Sequence, residues 1–340
     1  MAGIKDVAKR AGVSISTVSY VMSGKRSVKV ETKIRVLQAA RELNYFPRGG
    51  TRVLRGTRTN MLALSSPEHD WTDYTNYSAF FFGVAQRAQH YGYDVLLLMG
   101  EEENDDLKRI SDSGMVDGLL LLDVELDDPR VEQAKMARIP VVSIGYSNNG
   151  SGVISIDLDF KLMGQWAVEK AYKLGHRHVL MMGSNEEAYA KGSNFLIRTE
   201  RSVDETAAKH GMNVVHNYIH SGSMEDIEQS VEDAFRQDPE LSVVFAQCNL
   251  EQIEMLIRSF QRRGLDVPRD MSILALGTFG NTAKMTIPVD EIPMMPFVSC
   301  GRSVDVLMDM LSGKRSDIGA VELIPPKYLK RGSMVKARKS

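Results

Sequence analysis

Apolar residues recur at helical spacing in three short stretches at the start of the chain. Gly12 follows the first stretch and suits a helix stop, and Ser14 can cap a second helix over residues 15–22. A third pattern runs from about Val30 to Leu43 and ends before Pro47, because proline disfavours helix in the residue before it. The predicted apolar stripes contain Ile4, Val7, Ala8 and Ala11 in the first helix, Val18, Val21 and Met22 in the second, and Ile34, Leu37 and Leu43 in the third.

Two short helices joined by a glycine-containing turn and followed by a third predict a helix-turn-helix unit over residues 1–46. Its second helix would lie in the DNA major groove. Ser16 and Tyr20 lie four residues apart on the polar side of that helix and are the candidates for reading base edges. Ile15 has two interpretations. Helical spacing favours a core position beside Val18 and Met22, and an apolar contact with a thymine methyl group is the alternative.

The pattern changes at Met61 to short apolar runs that alternate with amphipathic stretches. Strand and helix in alternation predict doubly wound parallel α/β sheets. About ten strands are more than one such sheet needs, so two similar subdomains with a cleft between them are expected. The strand-like runs are residues 61–66, 94–99, 118–123, 141–146, 153–157, 179–183, 242–247 and 271–277, and the main helical stretches are 78–91, 159–174, 200–210 and 225–237.

The net charge of −2 conceals a strong asymmetry along the chain. Residues 1–60 contain thirteen Lys or Arg and three acidic residues, a net charge of +10, which leaves −12 on the remainder. Such a concentration of positive charge predicts a polyanionic partner for the N-terminal unit. Lys5, Lys25, Arg26 and Lys29 are the residues assigned to DNA phosphates, which position a protein without specifying sequence.

Other classes of protein find little support in the sequence. No apolar run approaches the ~20 residues of a membrane span, and the N-terminus lacks the apolar core of a secretory signal. The two cysteines, Cys248 and Cys300, form no CxxC-type pair, so a reduced, cytoplasmic protein is expected. No phosphate loop, GxGxxG, HExxH or GxSxG motif occurs. We therefore expect no catalytic site, no metal site and no cofactor.

The stretch IKDVAKRAGVSISTVSYVMSG (4–24) closely resembles the N-terminus of the lactose-repressor/galactose-repressor (LacI/GalR) family of bacterial transcription regulators, and ARELNYFP (40–47) resembles the end of that family's headpiece. The resemblance implies a homodimer that binds double-stranded DNA at a palindromic operator, with Thr17 among the DNA-binding residues. It also implies a hinge at 47–60 that becomes helical on DNA, with Leu54 inserted into the minor groove and Arg55 beside it. Gly49 and Gly50 depart from the helix formers usual there, so the hinge helix is expected to begin near Thr51.

The same resemblance implies a core over residues 61–340 that is similar to periplasmic sugar-binding proteins. The expected first subdomain comprises about 61–157 plus 290–317, and the second comprises about 158–289 plus 318–340. KLGHRHV (173–179) and RRGLDVPRDMSIL (262–274) are the clearest later matches.

Ligands of parallel sheets bind beyond the carboxyl ends of the strands. Matching the family residue by residue implies a small-molecule effector, expected to be a sugar or oligosaccharide, bound by Tyr77, Tyr146, Asp157, Arg198 and Asn249. An aromatic ring for stacking and amide or carboxylate groups for hydroxyls are the chemistry that a sugar needs.

Three features of the cleft depart from the family pattern. No acid occurs at Gly277 or Thr278, Arg198 and Arg201 both lie near the usual arginine position, and IPMMP (292–296) replaces more polar residues. A larger sugar, a non-sugar metabolite and a regulator without an effector therefore stay open. A free-standing binding protein is disfavoured by the headpiece.

Overall fold

The computed structural model describes residues 3–23, 26, 28–43, 45, 58–69, 74–100, 106–150 and 152–338. Its first part is a three-helix unit formed by α1 (Ile4–Ala11), α2 (Ile15–Ser23) and α3 (Val30–Glu42). The left-handed backbone of Gly12 (φ 64°) ends α1. The Ser14 hydroxyl accepts the N–H of Thr17 at 3.1 Å. Both the predicted stop and the predicted cap are confirmed.

The buried side of α3 differs from the predicted one. Ile34 is 58% exposed and Leu37 is also exposed, whereas Val36, Ala39 and Ala40 are buried. The alanines have small side chains, which lets α1 pack closely against this face. The predicted stripe through Ile34 and Leu37 was therefore wrong.

Ile15 also lies outside the core of the three-helix unit. Its side chain is 43% exposed, while Val18 on the same helix is fully buried. The core position that helical spacing favoured for Ile15 was therefore wrong, and the residue is available to a partner.

Six parallel strands form the first sheet of the core, in the order β11-β5-β4-β3-β1-β2. Its helices are α4 and α12, which pack on one another, and α5 and α6, which also contact each other. The strands are β1 (Met61–Pro67), β2 (Asp94–Gly100), β3 (Gly118–Leu122), β4 (Val141–Ile144), β5 (Ile154–Leu158) and β11 (Val321–Ile324), and the helices are α4 (Tyr74–His90), α5 (Asp106–Ser113), α6 (Pro129–Lys135) and α12 (Pro296–Leu311).

Five parallel strands form the second sheet, in the order β10-β9-β8-β6-β7. Helices α7 and α9 pack together, and α10 and α11 form a second pair. The strands are β6 (His178–Gly183), β7 (Asn213–Tyr218), β8 (Val243–Gln247), β9 (Ser272–Leu276) and β10 (Asp290–Ile292), and the helices are α7 (Phe160–Lys173), α8 (Glu186–Ala190), α9 (Asn194–Lys209), α10 (Met224–Gln237) and α11 (Leu250–Arg262). None of the described helices is long and apolar enough to cross a membrane.

Strand pairing corrects two of the predicted subdomain assignments. β10 pairs with β9 in the second sheet, although 290–317 was predicted to belong to the first subdomain. β11 pairs with β5 in the first sheet, although 318–340 was predicted to belong to the second. The chain therefore passes between the sheets after β5, near the predicted boundary at about 158, and again after β10 and after β11. The last two crossings each come one strand later than the predicted boundaries at about 290 and 318.

A glycine sets the packing distance between α7 and α9. A Cβ atom on Gly164 of α7 would lie 2.8 Å from the Thr199 carbonyl oxygen and 2.8 Å from the Ser202 Cβ of α9. Gly301, inside α12, has no such neighbour within 4 Å. The two mid-helix glycines thus differ in what a methyl group would meet.

We expect Gly164→Ala and Gly301→Ala to change stability in opposite directions. Gly164→Ala should lower the free energy of unfolding by about 2 kcal/mol through overpacking. Gly301→Ala should raise it by about 0.5–1 kcal/mol through helix propensity alone. Urea unfolding of both variants measures the difference. Equal destabilisation would contradict the packing described here.

Candidate DNA interface and effector cavity

The first turn of α2 carries a compact group of hydroxyls on the surface of the three-helix unit. The Ser14 hydroxyl lies 2.8 Å from the hydroxyl of Ser16 and 2.8 Å from that of Thr17. Ile15 and Tyr20 are exposed on the same helix. The predicted reading residues are thus presented together at the surface of one helix, with the serine hydroxyl positions restrained by the cap.

Basic residues surround this helix. Lys5, Arg26 and Lys29 are exposed, and the Arg26 guanidinium carbon lies 5.4 Å from the centroid of the Tyr20 ring. Arg10 forms an ion pair with Glu42 at 2.8 Å and so links α1 to α3. Three other predicted DNA contacts, Lys25, Leu54 and Arg55, lie outside the described residues, as does most of the hinge.

A cavity of about 650 Å³ opens between the two sheets of the core. The carboxyl ends of β3, β4 and β5 contribute Leu122, Ile144 and Leu158 from one side. Those of β8 and β9 contribute Gln247 and Leu276 from the other. The cavity thus occupies the position at which open parallel sheets bind ligands, and its volume suits a small-molecule site.

Aromatic rings from both subdomains line the apolar part of the cavity. The Phe80 and Phe279 rings meet edge to face across the cleft, with centroids 5.7 Å apart. Phe160 and Phe195 form a second pair at 5.9 Å. Met294 and Met295 also line the wall, so the apolar character predicted from IPMMP is present in the cavity.

Two carboxyl groups of the lining, Asp123 and Asp157, are hydrogen-bonded to neighbouring side chains or backbone. The Tyr77 hydroxyl donates to Asp123, which also lies 3.5 Å from the Nε2 atom of His69. Asp157 accepts the Leu158 N–H at 2.8 Å and the Asn194 amide at 3.3 Å. Burial raises the pKa of Asp157 to about 7, against the hydrogen bonds that favour its charged form.

Acidic side chains outnumber basic ones in the described lining of the cavity. Its described lining contains the carboxylates Asp123, Asp157 and Glu251, and no lysine or arginine. An anionic ligand would therefore meet the Asp123 and Glu251 carboxylates, with no lysine or arginine in the described lining to offset them, which is unfavourable in a partly desolvated site. Neutral ligands fit this lining.

The five effector residues predicted from the family resemblance separate into two groups. Tyr77, Asp157 and Asn249 line the cavity, and Asn249 also caps α11 by accepting the N–H of Gln252 at 2.9 Å. Tyr146 and Arg198 are not among the described lining residues and instead contact each other, with the guanidinium carbon 3.6 Å from the ring centroid.

Of the two candidate arginines, Arg198 is the one at the cleft, and Arg201 is exposed. The sequence interpretation missed Asn194 and Gln247, which are buried and line the cavity. Gln247 could have been found from its position at the end of an apolar run. Asn194 carries no such signal.

His216 lies between two carboxylates at the edge of the second sheet. Its Nε2 atom is 2.8 Å from Asp204, and its Nδ1 atom is 3.7 Å from Glu200. The hydrogen bond with Asp204 and the nearby Glu200 carboxylate raise the pKa of His216 to about 9. The residue is therefore a charged link between α9 and β7.

Known proteins match both parts of this chain. The model of bacterial regulatory proteins of the lacI family matches residues 3–48, and that of the periplasmic binding protein-like domain matches residues 168–334. The chain belongs to the LacI family. It is a DNA-binding transcriptional regulator, and the predicted fold class of a helix-turn-helix headpiece followed by two parallel α/β subdomains is confirmed.

Several curated regulators are similar to this LacI-family chain over most of their length. Catabolite control protein A of Priestia megaterium is 25% identical over 291 residues, which cover 84% of each chain. The regulator MalR of Streptococcus pneumoniae is 28% identical over 274 residues, covering 78% of this chain and 81% of MalR. The repressor PurR of Photobacterium profundum is 25% identical over 344 residues, covering 97% of this chain and 98% of PurR.

Solved structures of the LacI family share the fold. The lac repressor dimer bound to operator and the anti-inducer ONPF superposes with a TM-score of 0.81 at 19% identity, covering 98% of this chain and 99% of that one. The complex of the regulator CelR with cellobiose has a TM-score of 0.66 at 20% identity, covering 98% and 100%. At these identities the similarity establishes the fold of this LacI-family protein.

The raised pKa of Asp157 makes the stability of the protein depend on pH. The folded state binds the Asp157 proton more tightly than the unfolded state, so stability falls as pH rises from about 4 to about 7 and then levels off. Between pH 5 and 8 the loss from this group should be on the order of 2 kcal/mol. Asp157→Asn should remove it, which urea unfolding of both proteins at the two pH values would measure. An identical pH dependence in the variant would show that Asp157 is ionised normally.

Proposed function

We propose that this regulator represses transcription as a homodimer on a near-palindromic operator and that a neutral sugar or oligosaccharide in the cleft controls its DNA affinity. The proposal rests on the presence of two separate sites in one chain. A helix with an exposed polar face and basic residues nearby lies in the N-terminal unit, and a cavity whose described lining contains no lysine or arginine lies between the subdomains of the core.

The proposed DNA contacts follow from the side chains around α2. Ser16, Tyr20 and Ile15 are placed to reach base edges and thymine methyl groups in the major groove. Thr17 stands beside them, and Lys5, Arg26 and Lys29 neutralise phosphates. Lys25, Leu54 and Arg55 complete the proposed interface, with Leu54 unstacking the central base step.

Dimerisation is supported by the edge of the first sheet. β2 is an edge strand, and Leu97 and Met99 on it are each 38% exposed. The adjoining α4 exposes Phe82 as well. Exposed apolar side chains on an edge strand require a covering partner. A second copy would cover them and also supply the second half-site, because one headpiece buries too little surface to select a single genomic site.

The lining of the cavity supports a neutral sugar as effector. Asp157, Asn194 and Asn249 offer hydrogen bonds to hydroxyls, while the phenylalanine rings offer apolar faces. The cavity volume accommodates more than one monosaccharide ring. Cellobiose in the CelR complex is consistent with this class of ligand. The many phenylalanine and methionine side chains favour a non-sugar, uncharged metabolite as the second candidate.

Substitutions in the headpiece should separate sequence reading from phosphate binding. Selection of DNA fragments with the full chain should recover a palindrome. Tyr20→Ala should relax the base preference within each half-site by about 1–3 kcal/mol of discrimination. Lys29→Ala should leave the preference unchanged and reduce the salt dependence of binding by about one phosphate contact. If both variants lose affinity equally on selected and random DNA, Tyr20 does not read bases.

The charge of the cavity predicts which ligands bind. Maltose or cellobiose should raise the melting temperature of the protein, whereas glucose 6-phosphate and nucleoside monophosphates should not. Glu251→Lys would place a cation in the lining and should reduce the discrimination against phosphates. A phosphorylated ligand that stabilises the unaltered protein more than its neutral counterpart would contradict the proposal.

A further inference from the structure

Arg198 joins the two subdomains beside the cavity. It lies on α9 of the second subdomain, and its guanidinium stacks on the Tyr146 ring, which follows β4 in the first. Its Nη2 atom donates to the Tyr146 carbonyl oxygen at 3.2 Å and to the Asn148 side-chain oxygen at 3.3 Å. Arg198 therefore holds the Tyr146 loop against α9.

Asn194 lies one helical turn before Arg198 and connects this contact to the cavity. Its side-chain oxygen accepts from the Arg198 Nε–H, and its amide nitrogen donates to Asp157 Oδ2 at 3.3 Å. Asn194 is only 5% exposed and lines the cavity. Both ends of its amide are thus engaged, one toward the inter-subdomain contact and one toward the cavity.

These contacts form one connected series. Asp157 accepts from Asn194, Asn194 accepts from Arg198, and Arg198 donates to the Tyr146 carbonyl. We refer to Asp157, Tyr146, Arg198 and Asn194 as the cleft network. Hydrogen bonds in such a buried network polarise one another, so losing one member weakens the others.

The cleft network spans the boundary between the subdomains at the first chain crossing. Tyr146 follows β4 and Asp157 lies in β5, both in the first sheet. Asn194 and Arg198 belong to α9, which packs on α7 of the second subdomain. A change in the partners of Asp157 therefore acts on the orientation of one subdomain against the other.

We propose that Asn194 is the positioning residue that couples the effector cavity to the Arg198–Tyr146 contact, with Arg198 serving as a clamp between subdomains and not as an effector ligand. An effector hydroxyl that donates to Asp157 displaces the Asn194 amide from the carboxylate. The Asn194 amide then rotates, Arg198 loses its hydrogen-bond acceptor, and the Arg198–Tyr146 contact between the subdomains weakens. This inference rests on the proposed control of DNA affinity by a ligand in the same cleft.

Hydrogen exchange tests the cleft network in the absence of ligand and DNA. Asn194→Ala and Arg198→Ala should each increase amide exchange in residues 145–149 at least about fivefold, and the double variant should show no further increase. Such non-additivity is the signature of residues that act as one unit. Arg201→Ala, on the same helix and exposed, is the matched control and should leave that segment unchanged. No effect of Asn194→Ala, or additive effects of the two substitutions, would overturn the inference.

Operator binding tests the coupling. Fluorescence anisotropy on the selected palindrome should show that Asn194→Ala and Arg198→Ala shift the operator Kd in the same direction by at least about fivefold, and that Asn194→Asp, which retains an acceptor for Arg198, shifts it less. If amide exchange in residues 145–149 changes but the operator Kd does not, the cleft network has only a structural role and the inference fails. If the unaltered protein binds no operator specifically, the proposed function itself fails, which is a distinct result.

Discussion

Three passages of the chain between the two parallel sheets determine how the rest of the core is arranged. The chain leaves the first sheet after β5, returns after β10 and leaves again after β11. These connections place the carboxyl ends of strands from both sheets around one cavity. They also leave the subdomains joined by short segments, which can absorb a rotation while each sheet stays intact.

The chemistry of the cavity depends on that arrangement. Asp157 is the penultimate residue of β5, the strand from which the chain first crosses, and its burial there raises its pKa to about 7. Residues from α9 reach it from the second subdomain. A ligand that contacts this carboxylate therefore contacts the boundary itself, and its differential affinity for two subdomain orientations is the only means by which it can act.

The sequence predicted the elements of the fold well and their assembly less well. The eight apolar runs correspond to strands of the two sheets. Seven of these strands are buried, and buried parallel strands are continuously apolar, while the eighth, β2, is a partly exposed edge strand. β10 is short and contains Asp290 and Glu291, and β11 is a half-exposed edge strand, so neither carries that signal. The partners of these two strands depend on the crossings, which no local pattern encodes.

The residues of the effector cavity could likewise be predicted only in part from the sequence. Tyr77, Asp157 and Asn249 could be located in the cavity from the family resemblance because they follow or end predicted strands. Tyr146 and Arg198 came from the same resemblance, yet here they are engaged with each other. Asn194 could not be recognised, since its role depends on where the first turn of α9 points. In α3 the small Ala39 and Ala40 are buried in preference to Ile34, which a stripe of large apolar residues does not anticipate.

Control of DNA affinity by a ligand in the cavity requires reciprocal coupling between the cavity and the headpiece. The most direct measurement is the operator Kd with and without a saturating neutral disaccharide, paired with the disaccharide Kd with and without saturating operator. If the two sites are coupled, both constants should change by the same factor, at least about fivefold. A disaccharide that binds the protein while leaving the operator Kd unchanged would contradict this coupling.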